Sequence, residues 1–329
     1  MPRAVHSRRD LRAGLRRLHR YWKLGLEAKT RYARRLIETA LARSKQPVVC
    51  WSGGKDSTAL LHLILQFRPD IPVVFNDTCV EFPETNRFVR TLASQWNLNL
   101  HVTRPNRDET FWRVTAIYGW PLFGKAQALS VERARRTGNI RPGLTQFERE
   151  LALADVRISC RCCEFVHERP TKRIELQLGA DLKFLGMLAA ESRGRTRLWV
   201  DHGDYYFVKR YFGRGRGIWK ANPLSLWTEQ DIWGYHRIHQ LPFCDLYAMG
   251  HTRNGCWPCA MGVRNGQLGR LRRSHPKLFQ YLMTRTDFGA ELLKARRVLR
   301  DRRVGEETAF TREAVSDILA RDIEFFDTL

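Results

Sequence analysis

The chain lacks long apolar runs. None approaches the roughly 18 consecutive apolar residues that a membrane span needs, and the basic N-terminus has neither the apolar stretch nor the cleavage site of an export signal. No membrane partner is expected, and the expected compartment is cytoplasmic. There is no internal repeat and no low-complexity tract. Eight cysteines without an export signal do not read as a disulfide framework. Acid is scarce: 34 Asp and Glu stand against 57 Lys and Arg, a net charge of +23. Such a charge points to a polyanionic partner, a nucleic acid in the first place.

What is present is enough for a sizeable core, with 329 residues that are 43% hydrophobic. The positive charge sits at the two ends. Residues 1–47 hold 14 Lys and Arg against 3 Asp and Glu, and a second dense stretch over 264–303 includes Arg270, Arg272, Arg273, Arg296, Arg297, Arg300, Arg302 and Arg303. The chain therefore divides into a basic helical extension (1–46), a central domain (47–262) and a basic helical C-terminal region (263–329). Residues 105–158 read as an insertion in the central domain.

Apolar residues at three-to-four spacing, from Leu11 through Leu41, predict helix over 8–44. A strand is predicted at Pro47–Trp51, helix at Ser57–Phe67, strand at Ile71–Phe75, helix at Pro83–Trp96 and strand at Leu98–Thr103. Within the insertion, helix is predicted near 146–155. Further on come helix over 170–178, strand over 182–188, a hairpin within 195–220, and helix Thr228–His239 with Thr228 as N-cap. Strands alternating with helices imply an α/β fold, a parallel sheet with flanking crossover helices of Rossmann-like type.

The central signal is Ser52-Gly53-Gly54-Lys55-Asp56-Ser57 between a strand and a helix. Two glycines let the backbone approach an anion closely and adopt positive φ. The helix start aims N–H groups and its dipole at that anion. Lys55 adds charge, Ser52 and Ser57 add hydroxyls, and Asp56 can orient the loop or hold Mg²⁺ through water. The spacing is not that of a Walker A loop.

The loop resembles the PP-loop of the adenine nucleotide α-hydrolase superfamily, and within it the chain resembles the phosphoadenosine phosphosulfate (PAPS) reductase family. Asp77-Thr78-Cys79-Val80-Glu81-Phe82-Pro83-Glu84-Thr85 is similar to that family's Asp-Thr-Gly-x-x-Phe-Pro-Glu-Thr. Gly186-Met187-Leu188 through Glu191-Ser192 to Arg195 is similar to its Gly-x-Arg-x-x-Glu-Ser-x-x-Arg. Asn222-Pro223-Leu224 with Trp227 to Trp233 is similar to its Asn-Pro-Leu and Trp-Thr-x-x-Asp-Val-Trp segments. The likeness spans about 47–262. It implies an adenine nucleotide α-hydrolase-like fold, nucleotide binding by Ser52–Ser57, Asp77 and Thr78, and catalysis or substrate positioning by Lys55, Asp56, Glu84, Glu191, Ser192 and Arg195. Two positions depart from the family: Cys79 stands where it usually has Gly, and Leu188 replaces the Arg of Gly-x-Arg.

Cys162-Cys163 and Cys256-Trp257-Pro258-Cys259 supply four thiols in two pairs, a metal-site pattern for tetrahedral zinc or an iron–sulfur cluster. Adjacent cysteines suit the separated irons of [4Fe–4S], and the pattern resembles the cluster cysteines of adenylyl-sulfate reductases. Cys160 and Cys244 are substitutes for one ligand or another, and Cys244 and Cys50 also read as small buried hydrophobes.

Three functions fit. The first is ATP cleavage between the α- and β-phosphates with pyrophosphate release, in aid of sulfur transfer onto DNA or tRNA. It would use Mg²⁺, a cluster and a sulfur donor or reductant protein. The second is reduction of adenylyl sulfate or its 3′-phosphate by an external thiol or Cys160. The third is a nucleic-acid-binding module without catalysis. The expectation is the first, because the C-terminal tail (323–329) has no thiol and the ends are basic. Aromatics interleaved with cations over Tyr205–Lys220 fit either a base-stacking surface or a half-buried strand.

Overall fold

The structure is a computed structural model that describes residues 8–138, 143–213, 215–261 and 266–300. The expected basic positions Arg302 and Arg303, Arg214 of the aromatic stretch, the side chain of Arg300 and the tail 323–329 lie outside the described residues.

In chain order the elements are α1 (Arg8–Trp22), α2 (Leu26–Ala42), β1 (Pro47–Cys50), α3 (Lys55–Leu65), β2 (Val73–Asn76), α4 (Pro83–Gln95) and β3 (Leu100–Thr103). Then follow α5 (Phe111–Tyr118), α6 (Lys125–Thr137), α7 (Gln146–Leu153), a π-helical stretch (Cys163–Glu168), α8 (Arg169–Gln177), β4 (Leu182–Leu185) and α9 (Arg193–His202). The last are β5 (Tyr205–Val208), β6 (Ile218–Ala221), α10 (Glu229–Ile238), α11 (Gln267–Ser274), α12 (Pro276–Thr284) and α13 (Phe288–Arg300). The chain folds as two compact units, one of residues 1–77, 83–103 and 171–248, the other of 78–82, 104–170 and 249–329.

The first unit holds the whole sheet, in the order β3-β2-β1-β4-β6-β5. All neighbours are parallel except β5 and β6, which form the antiparallel hairpin at the edge. The central strands β1, β2 and β4 are short and largely buried, as strands covered on both faces must be. Val49, Val73, Leu182 and Phe184 are fully buried among Leu60, Ile64 and Tyr235 of the flanking helices and Trp227, just before α10. From β1 the chain winds outward through β2 to β3, then returns to the other side of β1 for β4. The loops leaving β1 and β4 therefore diverge, and the crevice between them is where an open α/β sheet binds its ligand.

The continuous helix expected over 8–44 breaks into α1 and α2. Gly25 caps α2 in an extended conformation, φ −66° and ψ 156°. A glycine is a poor residue for a helix interior and the chain turns there instead. Residues 195–202, placed in the hairpin stretch by sequence, belong instead to helix α9, with the Ser192 hydroxyl accepting from the Arg195 amide.

The second unit is helical. Its core comprises Phe111, Trp120, Leu122, Val131, Leu151, Phe288 and Leu292, all nearly or fully buried. Trp120 donates to Asp287 at 2.8 Å, and Arg135 gathers the carbonyls of Ala154 and Val156 at the end of α7. The stretch 105–158 carries α5 and α6 besides the expected α7. Aromatic and β-branched residues such as Phe111, Trp112, Val114 and Tyr118 have weak helix propensity, so α5 is formed by burial rather than announced by composition.

Candidate active site and cysteine centre

The Ser52–Ser57 loop sits at the C-terminal end of β1, at the point where the strand order reverses. Gly53 adopts φ +72°, and a β-carbon there would lie 2.8 Å from Val89. Gly54 is the N-cap of α3 and, as a glycine, supplies no side-chain cap. Ser57 Oγ donates to the Gly54 carbonyl at 3.0 Å and accepts from the Ser52 amide at 3.2 Å, which closes the loop on itself. At the end of β4, Gly186 comes so near that a β-carbon would sit 2.9 Å from the Ser57 backbone. This contact gives the glycine of the Gly186-x-x motif a physical reason.

Lys55 is buried, and its ammonium lies 3.3 Å from Asp56 and 3.5 Å from Glu229. The Lys55 amide donates to the Tyr247 hydroxyl at 2.9 Å, and His236 meets the Lys55 carbonyl at 2.8 Å. Burial raises the Asp56 carboxyl above its usual range; Lys55 lowers it, while Glu191 and Glu229 raise it. Asp56 and Glu229 thus set two carboxylates beside one ammonium. Burial also pushes the Tyr247 phenol well up, which keeps it a neutral donor and acceptor. Sequence reasoning assigned no role to Tyr247, His236 or Glu229. Glu229 lies within the quoted Trp-Thr motif, so a signal existed for it; His236 and Tyr247 carried none.

The other expected residues fall as follows. Asp77 is buried at the end of β2, its amide bonded to Thr103 at 2.9 Å. Glu84 opens α4 in its first turn. Glu191 and Arg195 pair with each other, and Ser192 caps α9. Leu188 is 3% exposed in the sheet core, so the position of the family's Arg is apolar here. Thr78 belongs to the second unit, where it is fully buried and donates to Glu81 at 2.9 Å.

The cysteine centre lies within the second unit. The π-helical stretch presents Cys163, with Cys162 just before it. The Cys256–Cys259 knuckle is anchored by an isolated antiparallel bridge between Glu81 and Cys256 and by the Trp257 amide on the Val80 carbonyl at 3.0 Å. Trp257 of the knuckle packs with Trp112 and Tyr281, ring centroids 5.6–6.3 Å apart.

The thiols feel one another. The Cys162 thiol is driven up by its hydrogen bond to Cys163, by burial and by Cys163, Cys259 and Cys256. Cys163 is held below the usual thiol range by that same hydrogen bond, with help from Lys125 and Arg253. Burial pushes Cys256 well up and Cys259 up to about 11. Cys162 and Cys256 are buried, Cys163 and Cys259 partly so, and the charge of one thiolate raises the pKa of its neighbours. Cys160 is also buried and pushed up to about 11. Cys244 lies in the first unit, fully buried, with its sulfur 4.0 Å from the Thr85 hydroxyl.

A glycine-hinged phosphate loop at the switch point of a mostly parallel sheet defines a PP-loop nucleotide-binding enzyme of the adenine nucleotide α-hydrolase type. Residues 46–261 match the family model described as phosphoadenosine phosphosulfate reductase domain, and the chain belongs to that family. The phosphoadenosine 5′-phosphosulfate reductase of Xylella fastidiosa (strain M12) is 30% identical over 209 residues, 64% of this chain and 70% of that one. That of Xanthomonas campestris pv. campestris (strain B100) is 28% identical over 213 residues, with 64% and 70% covered. A solved phosphoadenylyl-sulfate reductase of Candida auris in a phosphate complex is similar over 70% of this chain and 94% of its own, at 17% identity and a TM-score of 0.46.

Proposed function

We propose that the chain is a sulfonucleotide reductase, acting on adenylyl sulfate or its 3′-phosphate. The observation that carries nucleotide binding is the Ser52–Ser57 loop at the switch point, with Lys55 held between Asp56 and Glu229. The relatives' names favour the reductase among PP-loop chemistries. In that reaction a thiolate attacks the sulfate sulfur, the bond from sulfur to the phosphate oxygen breaks, and the nucleotide leaves. A second thiol then releases sulfite and a disulfide forms, so the two electrons come from an external dithiol or reductant protein. The loop amides and Lys55 stabilise the phosphate oxygens of the departing nucleotide.

Cys162, Cys163, Cys256 and Cys259 are the residues that would hold a [4Fe–4S] cluster, with zinc as the alternative. A grouping whose thiols perturb one another supports this. Such a cluster supplies reversible one-electron chemistry and a fixed local charge.

A second reading is ATP cleavage at the α-phosphate with Mg²⁺, serving sulfur transfer onto DNA or tRNA. Buried Leu188 favours it, because an arginine suited to a sulfate is replaced there. So does the hairpin edge, where Tyr205 stacks on Trp219 at 4.7 Å and Phe207 lies 5.2 Å from it. Phe207 and Trp219 remain 45% and 38% exposed, while Tyr205 packs partly against the core, so the outer two rings form a surface.

A nucleotide panel separates the two. Sulfite from adenylyl sulfate or its 3′-phosphate with a dithiol supports the first. Pyrophosphate from ATP, stimulated by DNA or tRNA, supports the second. Wild-type protein that binds none of the three nucleotides any better than Lys55→Ala overturns both.

A further inference from the structure

Cys256 belongs to a second constellation besides the four thiols. Its sulfur, a ring nitrogen of His167 and a carboxylate oxygen of Glu81 all lie within 4.8 Å of one another. Among the described residues, this is the one group of three His, Cys, Asp or Glu side chains so closely gathered. All three residues belong to the second unit.

The spacing is that of ligands around one ion. His167 Nε2 is 3.3 Å from Cys256 Sγ. A tetrahedral zinc with bonds of about 2.3 Å to sulfur and about 2.0 Å to nitrogen places those two atoms roughly 3.5 Å apart. The donors are one soft thiolate, one imidazole and one carboxylate, a set suited to a borderline divalent ion and unlike the all-thiolate set of an iron–sulfur cluster.

Each donor is also held in place. The bridge between Glu81 and Cys256 ties their backbones together. Thr78 donates to Glu81 Oε1 at 2.9 Å and lies 3.6 Å from the Cys256 sulfur, the orienting contact that ligands of a metal usually have. His167 is presented by the π-helical stretch Cys163–Glu168, a conformation that is rare in helices and concentrated at functional sites.

We propose that Glu81, His167 and Cys256 form a mononuclear site for a zinc-type divalent ion, with a fourth position open to water. One thiolate cannot serve this ion and a cluster at once. The ion is therefore the load of the chain without a cluster, and Cys256 is the residue the two loads share. The proposal stands independently of the nucleotide chemistry.

Cobalt(II) is the probe, added anaerobically to full-length, metal-stripped protein. The expected result is a single equivalent bound, with visible bands of tetrahedral cobalt and a thiolate-to-cobalt charge-transfer band. Cys162→Ser/Cys163→Ser, which leaves all three donors, keeps both the stoichiometry and the spectrum. His167→Ala and Glu81→Gln weaken binding by roughly 100-fold or more, beyond the loss of a merely supporting partner. Circular dichroism establishes that each variant is folded. Binding that survives His167→Ala and Glu81→Gln but disappears in Cys162→Ser/Cys163→Ser marks a thiolate-only site and overturns the proposal. Absence of cobalt binding by folded wild type overturns it as well.

Discussion

Cys79 carries a backbone φ of 63° on an exposed residue. An L side chain in the left-handed region is strained by about 1–2 kcal/mol, and glycine is not. This explains why the family's motif has Gly at that position, and why the departure seen in the sequence has a structural cost. Cys79→Gly is expected to stabilise the chain by about 0.5–1 kcal/mol, the relief of strain less the added chain entropy, as read from the urea unfolding midpoint. His62 gives a pH dependence. Burial, with His239 and His236 nearby, lowers its pKa below the ordinary 6.5, while its Nδ1 lies 2.8 Å from the Tyr235 hydroxyl. The unfolded chain therefore takes up the proton first. The contribution of His62 to stability is full above about pH 6.5 and falls as pH drops from there towards the lowered folded value. Urea denaturation at a series of pH values should show that slope, and His62→Gln should make it shallower, since His167 is lowered by burial as well.

At the scale of elements, the buried pair of Lys29 on α2 and Asp231 on α10 joins helices 202 residues apart in sequence, at 2.6 Å. Lys29 also donates to the Trp22 carbonyl at the end of α1. Asp231 in turn accepts from the amide and hydroxyl of Thr228 as a capping box. The capping residues were legible from spacing, but the lysine partner was not, since nothing local links it to α10. Removing one member of a buried pair leaves the other charge uncompensated, so Lys29→Ala should cost about 3 kcal/mol. Asp231→Ala alone should cost as much or more, because the cap is lost too. The double variant should fall short of the sum, a coupling measurable from denaturation of all four proteins. The break between α1 and α2 belongs to this scale as well: helical periodicity ran through Gly25, and only the backbone conformation there ends one helix and starts the next.

For the whole molecule, the excess of 57 Lys and Arg over 34 Asp and Glu sets long-range behaviour whatever the chemistry. If the second functional reading holds, binding to labelled single-stranded DNA or tRNA should weaken steeply with salt, by about 10³-fold or more between roughly 50 and 200 mM if six or more phosphates are contacted. Fluorescence anisotropy across a salt series measures it. A flat salt response, or no binding at low salt, would leave the charge as a solvated surface and count against a nucleic-acid substrate.

The sequence by itself determined what local chemistry can carry. Two glycines, a lysine and hydroxyls after an apolar run specify a phosphate loop, and alternating strand and helix patterns specify a parallel sheet. Paired cysteines raise the expectation of a metal-type centre, and each of these signals lies within a few neighbouring residues. The tertiary structure alone decided which distant groups meet those signals. Tyr247 and His236 reach Lys55 from 192 and 181 residues away, and Glu81, His167 and Cys256 converge from three separate segments. Such meetings depend on strand order, crossover path and the burial of whole faces. These are set by the summed packing of the chain, and no short stretch of it encodes them.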